Sequence, residues 1–217
     1  MIELQPCKHK WIWSLIFVRI PKNASTSIYN HLGNFNLIHK RAEEFNAFFK
    51  NKLYRKWFSP THAKPDEISL ILKNMVHQYT SFAVVRNPWD RTVSMYHFAK
   101  KNDLGKLYDM KSDMSFTQFC ELMMRKYEEK DKNFIAIHDQ CSWLEGMFEP
   151  NFILRFENLN EDFSNMLDIC QIKHINKNLP HENSTERKPY KEYYNDQSIK
   201  IIEKIFERDI DKFKYSY

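Results

Sequence analysis

Phe82-Ala83-Val84-Val85-Arg86-Asn87-Pro88-Trp89-Asp90-Arg91-Thr92-Val93-Ser94-Met95-Tyr96 reads as a buried strand that turns directly into a helix. Phe82 to Val85 is an unbroken apolar run, the pattern of a strand covered on both faces. Arg86 ends it, Asn87 can cap, and Pro88 suits the first helical position, where an N–H would have no intrahelical partner. On the helix, Trp89, Val93 and Tyr96 fall at i, i+4 and i+7 and form one apolar face, with Ser94 beside it. Arg86 lies before the first turn and can lean along the helix toward Ser94. A guanidinium fork beside a hydroxyl suits a phosphate dianion. The alternative is that Arg86 and Arg91 pair with Asp90 or other carboxylates as surface structure.

An earlier segment has the same grammar. Leu15-Ile16-Phe17-Val18-Arg19-Ile20 is β-branched or apolar except for Arg19, and Pro21 stops strand pairing because it has no N–H to donate. Lys22-Asn23-Ala24-Ser25-Thr26-Ser27 then opens a helix through Ile28, Tyr29 and Leu32 to Gly33, a residue suited to the position after a helix end. The start of such a helix offers backbone N–H groups and the positive end of a dipole, to which Lys22 adds a full charge and Ser25, Thr26 and Ser27 add hydroxyls. The nucleotide-binding pattern G-x-x-x-x-G-K-[ST] is absent. Taken alone, the segment also fits an ordinary Ser/Thr-capped helix after a strand. Together, the two segments read as two anion-binding turns at the carboxyl ends of buried strands.

These residues resemble the sulfotransferases that use 3′-phosphoadenosine-5′-phosphosulfate (PAPS), in particular their carbohydrate (sulfotransferase family 2-like) branch. In that family a P-K-x-x-x-[ST]-[ST]-like loop after the first strand holds the 5′-phosphosulfate, and Pro21 to Ser27 match it. An R-N-P-x-x-R-x-x-S-x-Y stretch holds the 3′-phosphate through its first Arg and its Ser, which correspond to Arg86 and Ser94. The resemblance continues through Thr61-His62-Ala63-Lys64-Pro65-Asp66-Glu67-Ile68, Arg155-Phe156-Glu157-Asn158-Leu159 and Tyr190-Lys191-Glu192-Tyr193-Tyr194, in family order over nearly the whole chain. It implies an α/β fold of three layers, P-loop-like, with a central parallel sheet flanked by helices. It also implies a single domain over residues 1–217, with PAPS as sulfuryl donor and PAP as product, and no metal.

The resemblance further implies roles. Lys22 would stabilise charge on the bridging oxygen as PAP leaves, while Asn23, Ala24, Ser25, Thr26 and Ser27 would orient the phosphosulfate. His62 is the expected base for the acceptor hydroxyl. It lies in the segment before a helix expected from Pro65 or Asp66, and its ordinary pKa suits proton abstraction near neutrality. His181 and His138 stand in reserve. A late loop, Asn183 to Pro189, is expected to bring Arg187 or Lys188 to the nucleotide. Arg155 and Glu157 read as a strand-end pair outside the site.

Composition sets limits on these expectations. The chain has 217 residues, room for one full core. Its formal net charge of +5 fits an anionic ligand but is too mild, and too evenly spread, to indicate nucleic acid. The four cysteines show no C-x-x-C and no metal-ligand spacing, so reduced thiols are expected. The apolar run from Trp11 to Val18 is short, carries Ser14 and leads to Arg19 without a cleavage site, so it reads as the first strand rather than a signal peptide. No run approaches the roughly 20 apolar residues of a membrane helix, and cytoplasmic residence is the expectation.

Further helices are expected over Arg41–Phe58, Asp66–His77, Phe116–Tyr127, Glu161–Cys170 and Gln197–Phe213, with a strand over Asn151–Phe156. Two other function classes stay open at this point: a nucleotide-dependent kinase on a related fold, and a non-catalytic nucleotide or polyanion binder. The acceptor expected from the resemblance is a hydroxyl of a sugar or glycan precursor.

Overall fold

The structure is a computed structural model that describes residues 15–32, 80–101, 110–111, 113–145, 149–173, 175–179 and 187–217. His62, His181, Cys7, the segment Thr61–Ile68 and the helices expected over Arg41–Phe58 and Asp66–His77 lie outside the described residues.

Along the chain the elements are β1 (Leu15–Val18), α1 (Ser25–Leu32), β2 (Thr80–Val85), α2 (Pro88–Lys101), α3 (Phe116–Glu128), α4 (Cys141–Leu144), β3 (Phe152–Arg155), α5 (Leu159–Ile169), α6 (Asp196–Ile205) and α7 (Glu207–Phe213). Short 3-10 turns occupy Ile135–Ile137, Phe156–Asn158 and Tyr190–Tyr193. The described residues fall into two compact units, within 1–85 plus 143–183 and within 86–142 plus 184–217.

The first unit holds the sheet. Its three strands run parallel in the order β1-β2-β3, as the unbroken apolar runs predict. Register places Phe17 opposite Phe82 and Phe82 opposite Phe152, so one row of phenylalanines crosses all three strands. The rings of Phe17 and Phe82 stack with centroids 4.8 Å apart. Ile28 and Leu32 from α1, and Phe163, Met166 and Leu167 from α5, close over this row. The amino ends of β2 and β3 are tied by Asn151, whose Oδ1 accepts from both the N–H and the hydroxyl of Ser81.

The second unit is helical. Trp89, Val93 and Tyr96 are buried as the i, i+4, i+7 spacing predicts, against Phe116, Phe119 and Met123 of α3 and Ile202 and Ile205 of α6. Both α3 and α6 begin with reciprocal capping boxes, Ser115 with Gln118 and Asn195 with Ser198.

One expected element is corrected. The helix foreseen over Gln197–Phe213 is two helices, broken at Phe206, which has φ −112° and ψ 27°. Phe206 is fully buried, and one turn after the break Asp209 faces the interior, where its carboxylate accepts from the N–H groups of Gln140 and Cys141. An apolar period alone does not register that change of axis. Among the described residues Cys120, Cys141 and Cys170 form no disulfide, and burial pushes the Cys120 and Cys141 thiols up to about 12.

Candidate anion-binding site

In the first unit the turn after β1 is shaped by its main chain. Lys22 and Ala24 both sit in the left-handed region, with φ of 70° and 55°. Neither is a glycine, so each conformation costs on the order of 1–2 kcal/mol. Strain of this kind persists where its surroundings over-determine it, and functional loops are where it gathers.

The determinants are visible. Asn23, buried between the two strained residues, donates from Nδ2 to the carbonyl of Val84 at the carboxyl end of β2, at 2.7 Å. Its own N–H reaches back to the carbonyl of Ile20 at 3.4 Å. The Ser25 hydroxyl donates to that same carbonyl at 2.8 Å. Left-handed residues interleaved in a turn draw successive N–H groups to one side, a concavity suited to anions. The turn feeds α1, whose first-turn amides, beginning at Ser25, have no intrahelical acceptor.

This geometry divides the residues expected to orient a phosphosulfate. Asn23 and Ser25 spend their side-chain donors on the fold and brace the loop. Thr26 is exposed, Lys22 half-buried and Ser27 buried. Sequence gives the hydroxyl count, but not which hydroxyls face inward.

In the second unit the cap reads as expected. Asn87 Oδ1 accepts from the N–H groups of Trp89 at 3.0 Å and Asp90 at 3.4 Å, and Pro88 is the first residue of α2. Arg86 leans along the helix but meets Asp90, one turn short of Ser94: its Nε donates at 2.8 Å and its Nη2 lies 2.7 Å away, both to Asp90 Oδ2. The other oxygen, Oδ1, accepts from Nη2 of Arg187. Arg187 and Arg86 therefore share Asp90 in one Arg-Asp-Arg cluster, while Asn183 to Glu186 lie outside the described residues. The cluster is largely buried, with side-chain exposures of 7% for Arg86 and 16% for Asp90 and Arg187.

Lys188, by contrast, points to solvent and pairs loosely with Glu192 at 3.8 Å. Ser94, one turn beyond Asp90, is half-buried and has no hydrogen-bond partner among the described residues. His97, a turn further on, contacts the Tyr193 hydroxyl through Nε2 at 2.9 Å. Burial chiefly, then Arg187 and Lys100, hold its pKa below the usual value.

The backbone of Arg86 is clamped from behind. Its N–H donates to Gln140 Oε1 at 2.8 Å, and Gln140 Nε2 donates back to its carbonyl at 2.9 Å. Gln140 is in turn held by Asp209, which accepts from both its N–H and its Nε2. Burial raises the pKa of Asp209, opposed by the charge of Arg91. Arg91 is fully buried, donates to the His138 carbonyl at 3.0 Å and stacks over the Phe206 ring. Arg91 is thus structural, and His138, whose Nε2 meets the Lys132 carbonyl at 3.0 Å, belongs to the same scaffold. In the first unit the Arg155 N–H goes to Asp162 at 2.7 Å.

Asp90, Gln140 and Asp209 are the residues that sequence reasoning missed. For Asp90 the signal was its i+4 spacing from Arg86, which was read as a rival to ligand binding. For Asp209 it was an acid on the apolar stripe of Ile202, Phe206 and Phe213, a position where a carboxylate must find buried donors. Gln140 carried no signal, since its partners are 54 and 69 residues away. Among the described residues no group of His, Cys, Asp and Glu is placed to hold a metal ion, and no helix is long and apolar enough to cross a membrane.

No curated protein matches the sequence. The fold is similar to that of mouse sulfotransferase SULT7A1, solved in complex with PAP: TM-score 0.52, 15% identity, covering 92% of this chain and 85% of that one. The parallel three-stranded sheet agrees with that likeness. The model of the sulfotransferase family matches residues 13–216, nearly the full length, and the chain belongs to that family.

Proposed function

We propose that this protein transfers the sulfuryl group of PAPS to a hydroxyl acceptor, a sugar or glycan precursor, and releases PAP, acting as one sulfotransferase domain over residues 1–217. The observation that carries the reading is the turn after β1, where Lys22 and Ala24 hold the left-handed conformation on either side of Asn23, just before a helix start. The family supplies the donor, and the loop chemistry suits its 5′-phosphosulfate.

Sulfuryl transfer is an in-line displacement at a tetrahedral centre, so the protein's part is alignment, charge stabilisation and proton removal. The backbone N–H groups of the turn other than that of Asn23, through Ser27, and the Thr26 and Ser27 hydroxyls align the phosphosulfate, and Asn23 and Ser25 keep the loop in shape. Lys22 neutralises charge on the oxygen that leaves with PAP. Arg86 and Ser94 take the 3′-phosphate, joined by Arg187; Lys188 contributes only long-range charge. His62, outside the described residues, takes the acceptor proton. Four scattered cysteines without C-x-x-C spacing suit reduced thiols, and we assign the protein to the cytoplasm.

Thermal-shift titrations with PAP, ATP and ATP plus Mg²⁺ test this assignment, because a ligand that binds only the folded state raises its melting temperature. PAP should stabilise without metal and ATP poorly, since ATP lacks a 3′-phosphate. Equal shifts, or a strict Mg²⁺ requirement, would favour a kinase. PAP binding with no sulfuryl transfer to any sugar hydroxyl would leave a non-catalytic binder.

A further inference from the structure

We propose that Asp90 is a positioning residue that holds Arg86 and Arg187 as a preformed cradle specific for the 3′-phosphate; the inference rests on the donor assignment above. Two guanidiniums from distant parts of the chain repel each other, and each long side chain loses rotamer entropy on being fixed. Here a single carboxylate offsets both effects. Its Oδ2 takes the Nε/Nη2 edge of Arg86, and its Oδ1 takes Nη2 of Arg187. Both carboxylate oxygens are occupied by arginine, and one negative charge against two positive leaves the trio cationic.

A second observation points to an anionic ligand. Nη1 of Arg187 is buried and has no hydrogen-bond partner among the described residues. A buried donor aimed at nothing is rare in a native fold and is explained when a ligand supplies the acceptor. One turn along α2, the Ser94 hydroxyl offers a further donor.

A carboxylate in such a place could instead compete with phosphate for the arginines. The geometry favours holding. Asp90 meets Arg86 through its side-on edge and Arg187 through one nitrogen only, so a donor of Arg187 remains for the ligand while Asp90 stays bound. The orientation cost is met before the nucleotide arrives, which is the physical content of preorganisation.

The test compares PAP with adenosine 5′-monophosphate, which lacks the 3′-phosphate, by calorimetry on the parent, Asp90→Asn, Asp90→Glu, Arg187→Ala and Arg86→Ala. Asp90→Asn should weaken PAP by about tenfold or more and leave 5′-monophosphate affinity within about twofold. Asp90→Glu should recover part of the loss. Asp90→Asn combined with Arg187→Ala should cost less than the two single losses together, because both remove the same alignment. Parental or tighter PAP binding by Asp90→Asn overturns the proposal, as does an equal loss for both nucleotides with a lowered melting temperature, the mark of a purely structural role. If Arg86→Ala also binds PAP like the parent, the failure belongs to the 3′-phosphate assignment beneath it.

Discussion

The turn after β1 and the Arg86-Asp90-Arg187 cluster are both suited to an anion, and they are built by opposite means. The turn uses main chain: two left-handed residues set the direction of the N–H groups, while the Asn23 and Ser25 side chains face inward to fix that shape. The cluster uses side chains, two long cations aligned by one carboxylate. Recognition by shape tolerates changes of side chain that preserve the backbone, whereas recognition by charge fails when a single charge is lost. The two regions should therefore respond differently to substitution, and the experiments below exploit that difference.

The largest effect is expected where the cluster meets its scaffold. Asp209→Ala removes the acceptor for the Gln140 and Cys141 N–H groups and leaves Arg91 buried without its carboxylate. Losing one member of a buried charged network costs about 3–5 kcal/mol, measurable by urea unfolding. Because Gln140 also grips the Arg86 backbone, PAP affinity should fall in any fraction that remains folded. A loss under about 1 kcal/mol, within the range of ordinary surface substitutions, would mean that Asp209 does not anchor the arginine cluster.

Next in size is a kinetic contrast between the regions. Lys22→Ala should lower turnover about a hundredfold with PAP affinity little changed, the scale for removing one transition-state charge stabiliser. Arg86→Ala should instead weaken PAP binding by roughly 1.5–3 kcal/mol, the worth of a charge-assisted contact. Turnover and PAP titrations on both variants decide the matter: if the two profiles coincide, the turn and the cluster do not divide chemistry from binding.

Periodicity and turn chemistry made most of the fold legible. Apolar runs gave the three strands, and Asn87-Pro88 and the Trp89, Val93, Tyr96 stripe gave α2 with its buried face. Arg86 and Arg187 were legible as cations suited to a phosphate. Their alignment by Asp90 was not, since sequence shows that an acid lies four residues away but not whether it opposes or serves the arginine. The break at Phe206 was hidden for a related reason. Helical spacing before and after it is preserved, and only the position of the Asp209 donors, far away in sequence, requires the turn. Hydroxyl-rich sequence likewise did not reveal that Ser25 faces the Ile20 carbonyl.

A smaller effect tests whether backbone shape governs the turn. Ala24 has φ 55°, a conformation that glycine adopts at no steric cost and a β-branched residue resists. Ala24→Gly should be neutral or stabilising by up to about 1 kcal/mol, with the chain's greater unfolded freedom limiting the gain. Ala24→Val should cost about 1–3 kcal/mol and slow turnover, although neither variant alters a charge or a hydroxyl. Identical melting temperatures and rates for the two variants would show that the left-handed turn is not what the fold maintains.

The smallest effect concerns pH. The sequence Pro21 to Ser27 contains no group whose ordinary pKa lies between about pH 5 and 8, whereas the cluster is neighboured by a histidine, His97. Its pKa lies below the usual value of 6.5, through burial first and then the charges of Arg187 and Lys100. The unfolded chain therefore takes up this proton more readily than the folded one. Linkage fixes the sign: the stability His97 contributes is fully present above about pH 6.5 and is lost as pH falls through that value toward the lowered folded pKa. Melting temperature measured from pH 7.5 down to about 5.5 should show this loss. His97→Gln, which keeps a polar partner for the Tyr193 hydroxyl but cannot titrate, should flatten part of the slope. Parallel curves for parent and variant would remove His97 as the source and turn attention to the buried Asp209, whose pKa burial raises.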